Sequence, residues 1–370
     1  MKKNICVIPG DGIGPEVIEQ GIKVLDAVAE RFGHTFDYCY ADMGGVAIDK
    51  FGEPLPAATV EACERADAIY FGAIGDPKYD NDPNAKVRPE QGLLALRKTL
   101  GLYGNIRPVT AYPAMLKHSP LRAENIEGVD FVIYRELTGG IYFGEKGRSD
   151  DGLAAYDTCV YHTSEIERIA HLAFQAAQNR RKKLTLIDKA NVMETSRLWR
   201  ETVQRMAKDY PDVEVNFMFV DNAAMQMILY PKQFDVIVTS NMFGDIISDE
   251  ASVIAGSMGL LPSASVGLQT SLFEPIHGSY PQAAGMDTAN PVATILSGAM
   301  MLESFGMTDE AAVIRAAVEQ TLEEGIGTPD LKPTIEYTCS QTGDLLASVV
   351  GEKDLNLQKG KMEDGVSTII

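Results

Sequence analysis

Two aspartates stand four residues apart in the segment Asn241-Met-Phe-Gly-Asp245-Ile-Ile-Ser-Asp249, which follows a predicted strand and opens a predicted helix. At this spacing their side chains share one helical face, about 6 Å apart at Cβ. Carboxylates this close repel each other unless a cation lies between them, and the hard ions Mg²⁺ and Mn²⁺ prefer oxygen ligands. The alternative is that the helix dipole favours aspartates near a helix N-terminus, which suits Asp245 better than Asp249. Asp221, at the end of its own predicted strand, is a candidate third ligand.

Three arginines have positions that favour the binding of a small acid. Arg97 lies on a predicted helical face that it shares with Leu93 and Leu94, Arg107 precedes a proline and is therefore extended, and Arg135 ends a predicted strand. Guanidinium groups form bidentate pairs with carboxylates, so the three together could hold a dicarboxylate. Taken singly, each arginine is more often a surface or salt-bridge residue.

Lys189 and Tyr142 are the candidate groups for proton transfer. Lys189 follows the end of a predicted strand, and Tyr142 follows a Gly-Gly turn that can present it. If they are buried near a metal, their pKa values could fall into a useful range. Arg135, Lys189, Asp221 and Asn241 all stand where predicted strands end, which is where open α/β sheets bind ligands. The alternative is that such residues only cap the helices that follow.

Two glycine-rich segments are candidates for cofactor binding. The first, Gly10-Asp-Gly12-Ile-Gly14, lacks the G-x-G-x-x-G spacing of a Rossmann fingerprint, so a tight strand-to-helix turn is the simpler interpretation. The second runs from Glu274 through His277 to Asn290 and can supply backbone N–H groups to adenosine phosphates. His277 is equally well interpreted as a structural histidine.

Bulk properties set limits on the class of protein. The 370 residues suffice for about two domains, and contents of 45% hydrophobic and 23% charged residues are typical of folded proteins. The net charge of -19 argues against a nucleic-acid partner. Five scattered cysteines without a C-x-x-C pair favour a reducing cytoplasm. Neither a signal peptide nor a long apolar run typical of a membrane span is found, so no membrane partner is expected.

Short apolar runs alternate with longer segments of helical period, which predicts an α/β protein. The predicted strands cover residues 3–8, 68–72, 129–134, 184–188, 213–220 and 235–239. The predicted helices cover residues 15–32, 90–100, 165–179, 196–208 and 222–229. After residue 246 we expect mostly helix, apart from a loop over residues 272–290.

The motifs around these residues resemble those of the β-decarboxylating dehydrogenase family, which includes isocitrate, isopropylmalate, homoisocitrate and tartrate enzymes. They are Leu-Tyr-Gly-Asn-Ile-Arg107-Pro, Arg135-Glu-Leu-Thr-Gly-Gly-Ile-Tyr142-Phe-Gly, Asp-Lys189-Ala-Asn191-Val192 and the aspartate segment above. The resemblance covers almost the whole chain. It implies an isopropylmalate/isocitrate dehydrogenase-like fold of two domains, with a large mixed sheet flanked by helices, and not a true Rossmann fold. Residues 1–101 plus 256–360 would form the cofactor side, residues 102–255 the substrate, metal and dimerisation domain, and residues 361–370 a tail.

The resemblance also implies roles for the individual residues. Arg97, Arg107 and Arg135 would hold the substrate carboxylates. Asp221, Asp245 and Asp249 would bind Mg²⁺ or Mn²⁺. Lys189, through water and Asp221, would remove a proton, and Tyr142 would return one to carbon. The family forms homodimers in which Lys189 and Asp221 reach into the partner's site. The residues expected to contact NAD are Ile13, Glu90, Asn191, Glu274, His277, Gly278, Ser279, Gln282, Ala283, Gly285 and Asn290.

Within this family, the residues that meet the third substituent of the substrate decide which acid is used. The isocitrate enzymes place a serine and an asparagine where this chain has Leu93 and Leu94, with Val192 nearby. Leucines would leave a third carboxylate without hydrogen-bond partners, but they would bury an isopropyl group. That burial is worth about 2 kcal/mol. We therefore expect NAD-dependent oxidative decarboxylation of an isopropyl-substituted malate. Gln282 replaces the aspartate that most isopropylmalate enzymes use to hold the ribose, but the loop lacks the basic residue that a 2′-phosphate needs.

Three alternatives remain open from the residues. A sister activity on tartrate, D-malate or homoisocitrate is disfavoured by Leu93 and Leu94. A Mg²⁺-dependent phosphate-ester hydrolase would leave Lys189, Tyr142 and the loop over residues 278–290 without a role. A nucleotide-binding protein without enzymatic activity would not need the aspartate pair.

Overall fold

The computed structural model describes residues 1–82 and 85–352, so the predicted tail over residues 361–370 lies outside the described residues. The strands are β1 (Lys2–Gly10), β2 (Thr35–Tyr40), β3 (Ala68–Ala73), β4 (Gly104–Thr110), β5 (Asp130–Glu136), β6 (Lys146–Arg148), β7 (Ala155–Asp157), β8 (Lys183–Asp188), β9 (Glu214–Phe219), β10 (Val236–Thr239), β11 (Pro262–Val266), β12 (Ser271–Pro275), β13 (Ile326–Gly327) and β14 (Ile335–Glu336). The helices are α1 (Gly14–Phe32), α2 (Gly45–Phe51), α3 (Ala57–Arg65), α4 (Pro77–Asp80), α5 (Pro89–Thr99), α6 (Ala123–Ile126), α7 (Thr163–Asn179), α8 (Glu194–Met206), α9 (Val220–Leu229), α10 (Asn241–Ala255), α11 (Val292–Ser304), α12 (Thr308–Glu323) and α13 (Cys339–Gly351).

One ten-stranded sheet has the order β2-β1-β3-β12-β11-β4-β5-β10-β8-β9. The strands are parallel from β2 to β12, antiparallel from β12 through β5, and parallel again from β5 to β9. The prediction of a large mixed sheet is therefore confirmed. The strands of residues 1–101 and 256–352 fill one half of the sheet and those of residues 102–255 the other half. The division into two domains at these boundaries stays a prediction.

The sequence explains why the middle of the sheet is covered on both faces. All six residues of β3 are buried, which is typical of a parallel strand with helices on both sides. α11 is apolar almost all round, and every residue from Val292 to Leu302 is buried. The Tyr70 hydroxyl of β3 donates to the backbone oxygen of Thr294 at 2.7 Å and so ties the sheet to this central helix.

The structure contradicts part of the predicted element list. β11 and β12 replace the expected helix and loop, so the loop prediction was wrong for residues 272–275. β11 reads Pro-Ser-Ala-Ser-Val, which has little strand propensity of its own, and it is stabilised because β12 and β4 pair with it on both sides. The prediction also lacked β2 and β4, although the extended conformation expected at Arg107 is confirmed by its place in β4.

The five cysteines are all free thiols, which agrees with the absence of a disulfide framework. Cys6 and Cys63 lie in contact inside the core, with 3.8 Å between their sulfur atoms. Among the residues that the structure describes, no helix is both long enough and apolar enough to cross a bilayer.

Candidate active site

Polar residues from four neighbouring strands meet at one edge of the sheet. β5, β10, β8 and β9 are adjacent and parallel, so their carboxyl ends lie side by side. Arg135 stands at the end of β5, Asn241 begins the helix after β10, Lys189 follows β8, and Asp221 lies in the first turn after β9. The sequence-based expectation that these strand ends converge is therefore correct.

Arg135 is fixed by hydrogen bonds along its whole guanidinium group. Its Nε donates to the backbone oxygen of Asn241 at 3.0 Å, its Nη2 to Asn241 Oδ1 at 2.9 Å, and its Nη1 to Asp245 Oδ1 at 2.5 Å. Burial lowers the pKa of Arg135 to about 10, so the side chain remains cationic at neutral pH. Arg135 therefore presents a fixed positive charge next to the aspartate pair.

Arg107 reaches both aspartates from the neighbouring strand β4. Its Nη1 lies 3.5 Å from Asp249 Oδ1, and its Nη2 lies 4.0 Å from Asp245 Oδ1. Asn105 and Ser248, which sequence reasoning did not single out, accept hydrogen bonds from the same guanidinium at 2.6 and 2.5 Å. The sequence offered no basic residue close enough along the chain to neutralise the aspartates, but the fold brings in two arginines from remote strands.

Arg97 completes the cationic group from α5. Its Nη2 donates to Glu274 Oε1 at 2.8 Å, and its buried Nε has no hydrogen-bond partner among the described residues. A chain of contacts links Arg97 to Arg107: Ser265 Oγ lies 3.4 Å from the same Glu274 oxygen, and Asn105, which accepts from Arg107 Nε, donates to Ser265 Oγ at 3.3 Å. Burial, and to a smaller extent the charge of Arg97, lowers the pKa values of Arg107 and Arg135. Glu274, whose expected contact with the cofactor stays a prediction, pairs with Arg97 in this structure. A buried donor without a partner suits an anionic ligand.

The aspartate pair has the chemistry of a hard-cation site, and within one chain no third acidic side chain among the described residues joins it. Asp245 Oδ2 accepts a hydrogen bond from the Tyr142 hydroxyl at 2.8 Å, and the side chain of Asp249 is 61% exposed. Burial, and then the Asp245 carboxylate, raises the pKa of Tyr142 to about 12. Over residues 1–82 and 85–352, no three Asp, Glu, His or Cys side chains form a metal-binding group, so Asp221 does not join the pair.

Lys189 and Asp221 form a separate, more exposed ion pair. Lys189 Nζ donates to Asp221 Oδ1 at 2.6 Å, and the side chain of Asp221 is 66% exposed. This hydrogen bond lowers the pKa of Asp221 below its usual value. Asn191 and Val192 follow on the same exposed turn. Within one chain, this pair faces outward instead of completing the aspartate group.

The two glycine-rich segments, predicted separately, lie against each other. The Ile13 N–H donates to the Ser279 backbone oxygen at 2.8 Å, and the Ile13 side chain packs in a small buried cluster with Ala283. Gly12 has φ +59, and a Cβ there would lie 2.0 Å from the Ser279 oxygen, so only glycine fits. Glu90 of α5 also lies near this contact. A Cβ added at Gly75 would lie 3.1 Å from Glu90 Oε1 and 3.1 Å from Ser279 Oγ, so both side chains are close to the same backbone position.

The second segment leaves polar groups available around this contact. His277 Nε2 is buried without a hydrogen-bond partner among the described residues, and burial lowers the pKa of His277, which favours the neutral ring. Gly278, Gln282 and Gly285 are exposed, whereas Asn290 is buried and caps α11. Glu16, which sequence reasoning missed, accepts the N–H group of Gly285 and fixes the loop to α1. An acidic residue in the first turn of α1 was the only available sequence signal.

Comparison with known proteins gives the family. The family model described as isocitrate/isopropylmalate dehydrogenase matches residues 4–346. The chain belongs to this family. It is 58% identical to the 3-isopropylmalate dehydrogenase of Bacteroides fragilis, over 90% of this chain and 94% of that protein. It is 55% identical to the 3-isopropylmalate dehydrogenase of Priestia megaterium, over 91% of this chain and 92% of that protein. The crystal structure of isocitrate dehydrogenase from Methylococcus capsulatus matches with a TM-score of 0.86 and 35% identity, over 95% of this chain and all 100% of that chain.

The family is named for enzymes that act on two different acids, isocitrate and isopropylmalate. The two leucines of α5 were predicted to contact the part of the substrate in which these acids differ. They do not share one environment. Leu93 is 8% exposed and packs in a core cluster with Met43, Phe71 and Leu96, whereas Leu94 is 37% exposed. Leu94 is therefore the more accessible of the two in this structure, and the expectation that both leucines contact a ligand stays a prediction.

Proposed function

We propose that this chain catalyses the NAD-dependent oxidative decarboxylation of 3-isopropylmalate to 4-methyl-2-oxopentanoate, in leucine biosynthesis. The observation that carries the proposal is the convergence of Arg97, Arg107 and Arg135 with the carboxylates of Asp245 and Asp249. A substrate with two carboxylates that also binds a metal cation needs the arginines, which bind its carboxylates, next to the aspartates, which bind the cation. The high identity to proteins named 3-isopropylmalate dehydrogenase supports the same reaction.

In this proposal the arginines bind and orient the substrate. The free Nε of Arg97 and the fixed guanidinium groups of Arg107 and Arg135 donate to the two carboxylates. The isopropyl group lies against Leu94, and Val192 of a second copy covers it. A substrate with a third carboxylate would have to desolvate that group beside leucine, without a hydrogen-bond donor.

The site residues fit the two groups that the family implies. Asp245 and Asp249 would hold Mg²⁺ or Mn²⁺, because they offer the oxygen atoms these ions prefer. When bound, the divalent ion lowers the pKa of the substrate hydroxyl and stabilises the negative charge that develops as CO₂ leaves. The contact between the Gly12 turn and Ser279, with the free Nε2 of His277, would hold the adenosine half of NAD. NAD, when bound, accepts the hydrogen and two electrons lost from the substrate carbinol carbon.

Lys189 and Tyr142 move the protons in this scheme. Lys189, as the neutral amine, takes the proton of the substrate hydroxyl through water during oxidation, and Asp221 pairs with the ammonium that this transfer produces. Tyr142 keeps its proton at neutral pH because burial and Asp245 raise its pKa. It therefore acts as the acid that protonates the carbon left by decarboxylation.

A second copy of the chain is required to complete this site. Exposed apolar side chains cluster on α9 and α10, namely Met225, Ile228, Leu229, Ile246 and Val253. Burying them against a second copy is favourable, and a symmetric dimer would bring the partner's α9, which carries Asp221, beside α10. Residues 1–101 and 256–360 then form the cofactor side, and residues 102–255 the dimerisation side. The five free thiols fit a cytoplasmic enzyme.

Leu94→Asn is expected to raise KM for 3-isopropylmalate about tenfold with little loss of stability. Leu94 is accessible, and losing its contact with an isopropyl group costs about 1–2 kcal/mol. Steady-state kinetics and a thermal melt measure the two effects. The matched control is Leu93→Ser, which should lower the melting temperature because that side chain lies in the core. An unchanged KM in Leu94→Asn would remove this residue from the substrate pocket.

NADH absorbance tests the proposed function directly. The purified protein is given NAD and, in parallel, 3-isopropylmalate, isocitrate, D-malate or tartrate, with Mg²⁺ or with EDTA. We expect NADH with 3-isopropylmalate and Mg²⁺, at a kcat/KM at least tenfold above that of the other acids. A higher kcat/KM with one of the other acids would show that this acid, and not 3-isopropylmalate, is the substrate. Full activity in EDTA would show that the reaction needs no divalent metal.

A further inference from the structure

A cavity of about 320 Å³ lies on the face of the sheet that the catalytic arginines do not use. Tyr103, Ile106, Tyr134 and Val266 lie almost completely buried beneath it, and Leu172 of α7 and Phe305 are its half-buried apolar walls. Polar side chains complete the lining, namely Gln269, Ser271 and Ser304. The size is within the range of sites for small molecules. None of these side chains has a role in the proposed reaction.

Strand alternation places this cavity directly behind the arginines. Ile106 pairs in register with Tyr134, and Asn105 pairs with Arg135 one position further along. Because successive side chains point to opposite faces, Ile106 and Tyr134 face the cavity whereas Arg107 and Arg135 face the candidate active site. The two sites are therefore separated by the thickness of a single sheet.

The rim of the cavity carries one charge of each sign. Lys3 Nζ lies 3.6 Å from Asp67 Oδ1, which is within ion-pair distance but longer than a normal hydrogen bond. The two side chains are 25% and 36% exposed, so both can still be reached from solvent. Asp67 Oδ2 accepts the Asn4 N–H at 2.7 Å, which fixes the carboxylate in place. The Lys3 ammonium lies over the Phe305 ring, 4.5 Å from its centroid, and none of its three protons makes a hydrogen bond of normal length within the described residues.

We infer that this cavity binds a small zwitterionic α-amino acid with an aliphatic side chain. The ligand carboxylate pairs with Lys3, its ammonium pairs with Asp67, and its side chain packs against Leu172 and Phe305. A simple anion would be repelled by Asp67, and a simple cation by Lys3, so both charges are needed. The inference depends on no assignment in the catalytic site, so each can fail without the other.

Isothermal titration calorimetry with the full chain tests this inference, using L-leucine as the probe. Two analogues each lack one charge: 4-methylpentanoate has no ammonium and isopentylamine has no carboxylate. We expect L-leucine to bind once per chain, and each analogue to bind at least about tenfold more weakly. No heat with L-leucine at millimolar concentration, or equal affinity for either analogue, would overturn the inference.

Variants locate the bound probe. Leu172→Trp fills the cavity and should abolish binding, whereas Lys3→Met and Asp67→Asn should each weaken it at least about tenfold. Lys2→Met is the matched control, because Lys2 pairs with Asp37 and does not line the cavity; it should bind as the unchanged chain does. Circular-dichroism melts check that each variant is folded. If Leu172→Trp does not fold, the Lys3 and Asp67 variants alone test the site. Unchanged L-leucine affinity in the folded rim variants would place the probe elsewhere and refute the site.

Discussion

Lys189→Met is expected to lower kcat about a thousandfold while leaving the fold and the KM for NAD nearly unchanged. General-base catalysis contributes about 10²–10⁴-fold in enzymes, and no other lysine is placed in the proposed site. The only side-chain hydrogen bond that the Lys189 ammonium makes within the described residues is to the exposed Asp221, so its loss removes little packing. Steady-state kinetics by NADH absorbance measures kcat, and a thermal melt measures stability.

The matched control for Lys189→Met is Lys208→Met. Lys208 is an exposed lysine that follows α8, and its replacement should leave kcat unchanged. If Lys189→Met keeps more than a tenth of the original kcat, Lys189 is not the base in this reaction.

Asp245→Asn is expected to lower kcat about a thousandfold, with a melting temperature close to that of the unchanged protein. Asparagine keeps the shape of the side chain: its oxygen can still accept from Arg135, and its NH₂ group, in place of the second carboxylate oxygen, can donate to the Tyr142 hydroxyl oxygen. It removes the negative charge, which is what a divalent cation requires. Kinetics over a series of Mg²⁺ concentrations measures both kcat and the apparent affinity for the metal.

Asp209→Asn, in the exposed helical turn that follows α8, is the control for this loss of charge and should leave activity intact. Near-normal kcat for Asp245→Asn, with an unchanged dependence on Mg²⁺, would show that Asp245 is not a metal ligand. A large fall in melting temperature would instead indicate that the ion pair with the buried Arg135 is mainly structural.

Local sequence patterns predicted the parts of the site that lie at strand ends. Arg135, Lys189, Asp221 and Asn241 could be placed because a buried strand has a continuous apolar run and its end is marked by a polar residue. The parallel order of β5, β10, β8 and β9 then brings these ends together. The helical spacing of Asp245 and Asp249 was equally visible in the sequence.

Contacts between residues far apart in the chain could not be predicted in this way. Arg107 meets Asp249 across 142 residues, and Arg97 meets Glu274 across 177 residues. The first contact depends on β4, which the sequence reasoning did not predict, and the second on β12, which it took for a loop. The helical pattern also could not predict that Leu93 is buried and Leu94 is partly exposed. Both lie on the same broad apolar face, and their burial depends on which core residues pack against α5.

Complementation between variants is the most direct test of a site shared by two copies of the chain. Lys189→Met and Asp245→Asn chains carrying different affinity tags are expressed together, and the mixed dimer is purified through both tags. Each variant homodimer should be nearly inactive. The mixed dimer should recover roughly half of the normal activity per dimer, because one of its two sites combines an intact Asp245 with an intact Lys189 from the other chain. A mixed dimer as inactive as its parents would contradict the shared site, since it would mean that Lys189 and Asp245 of the same chain act together.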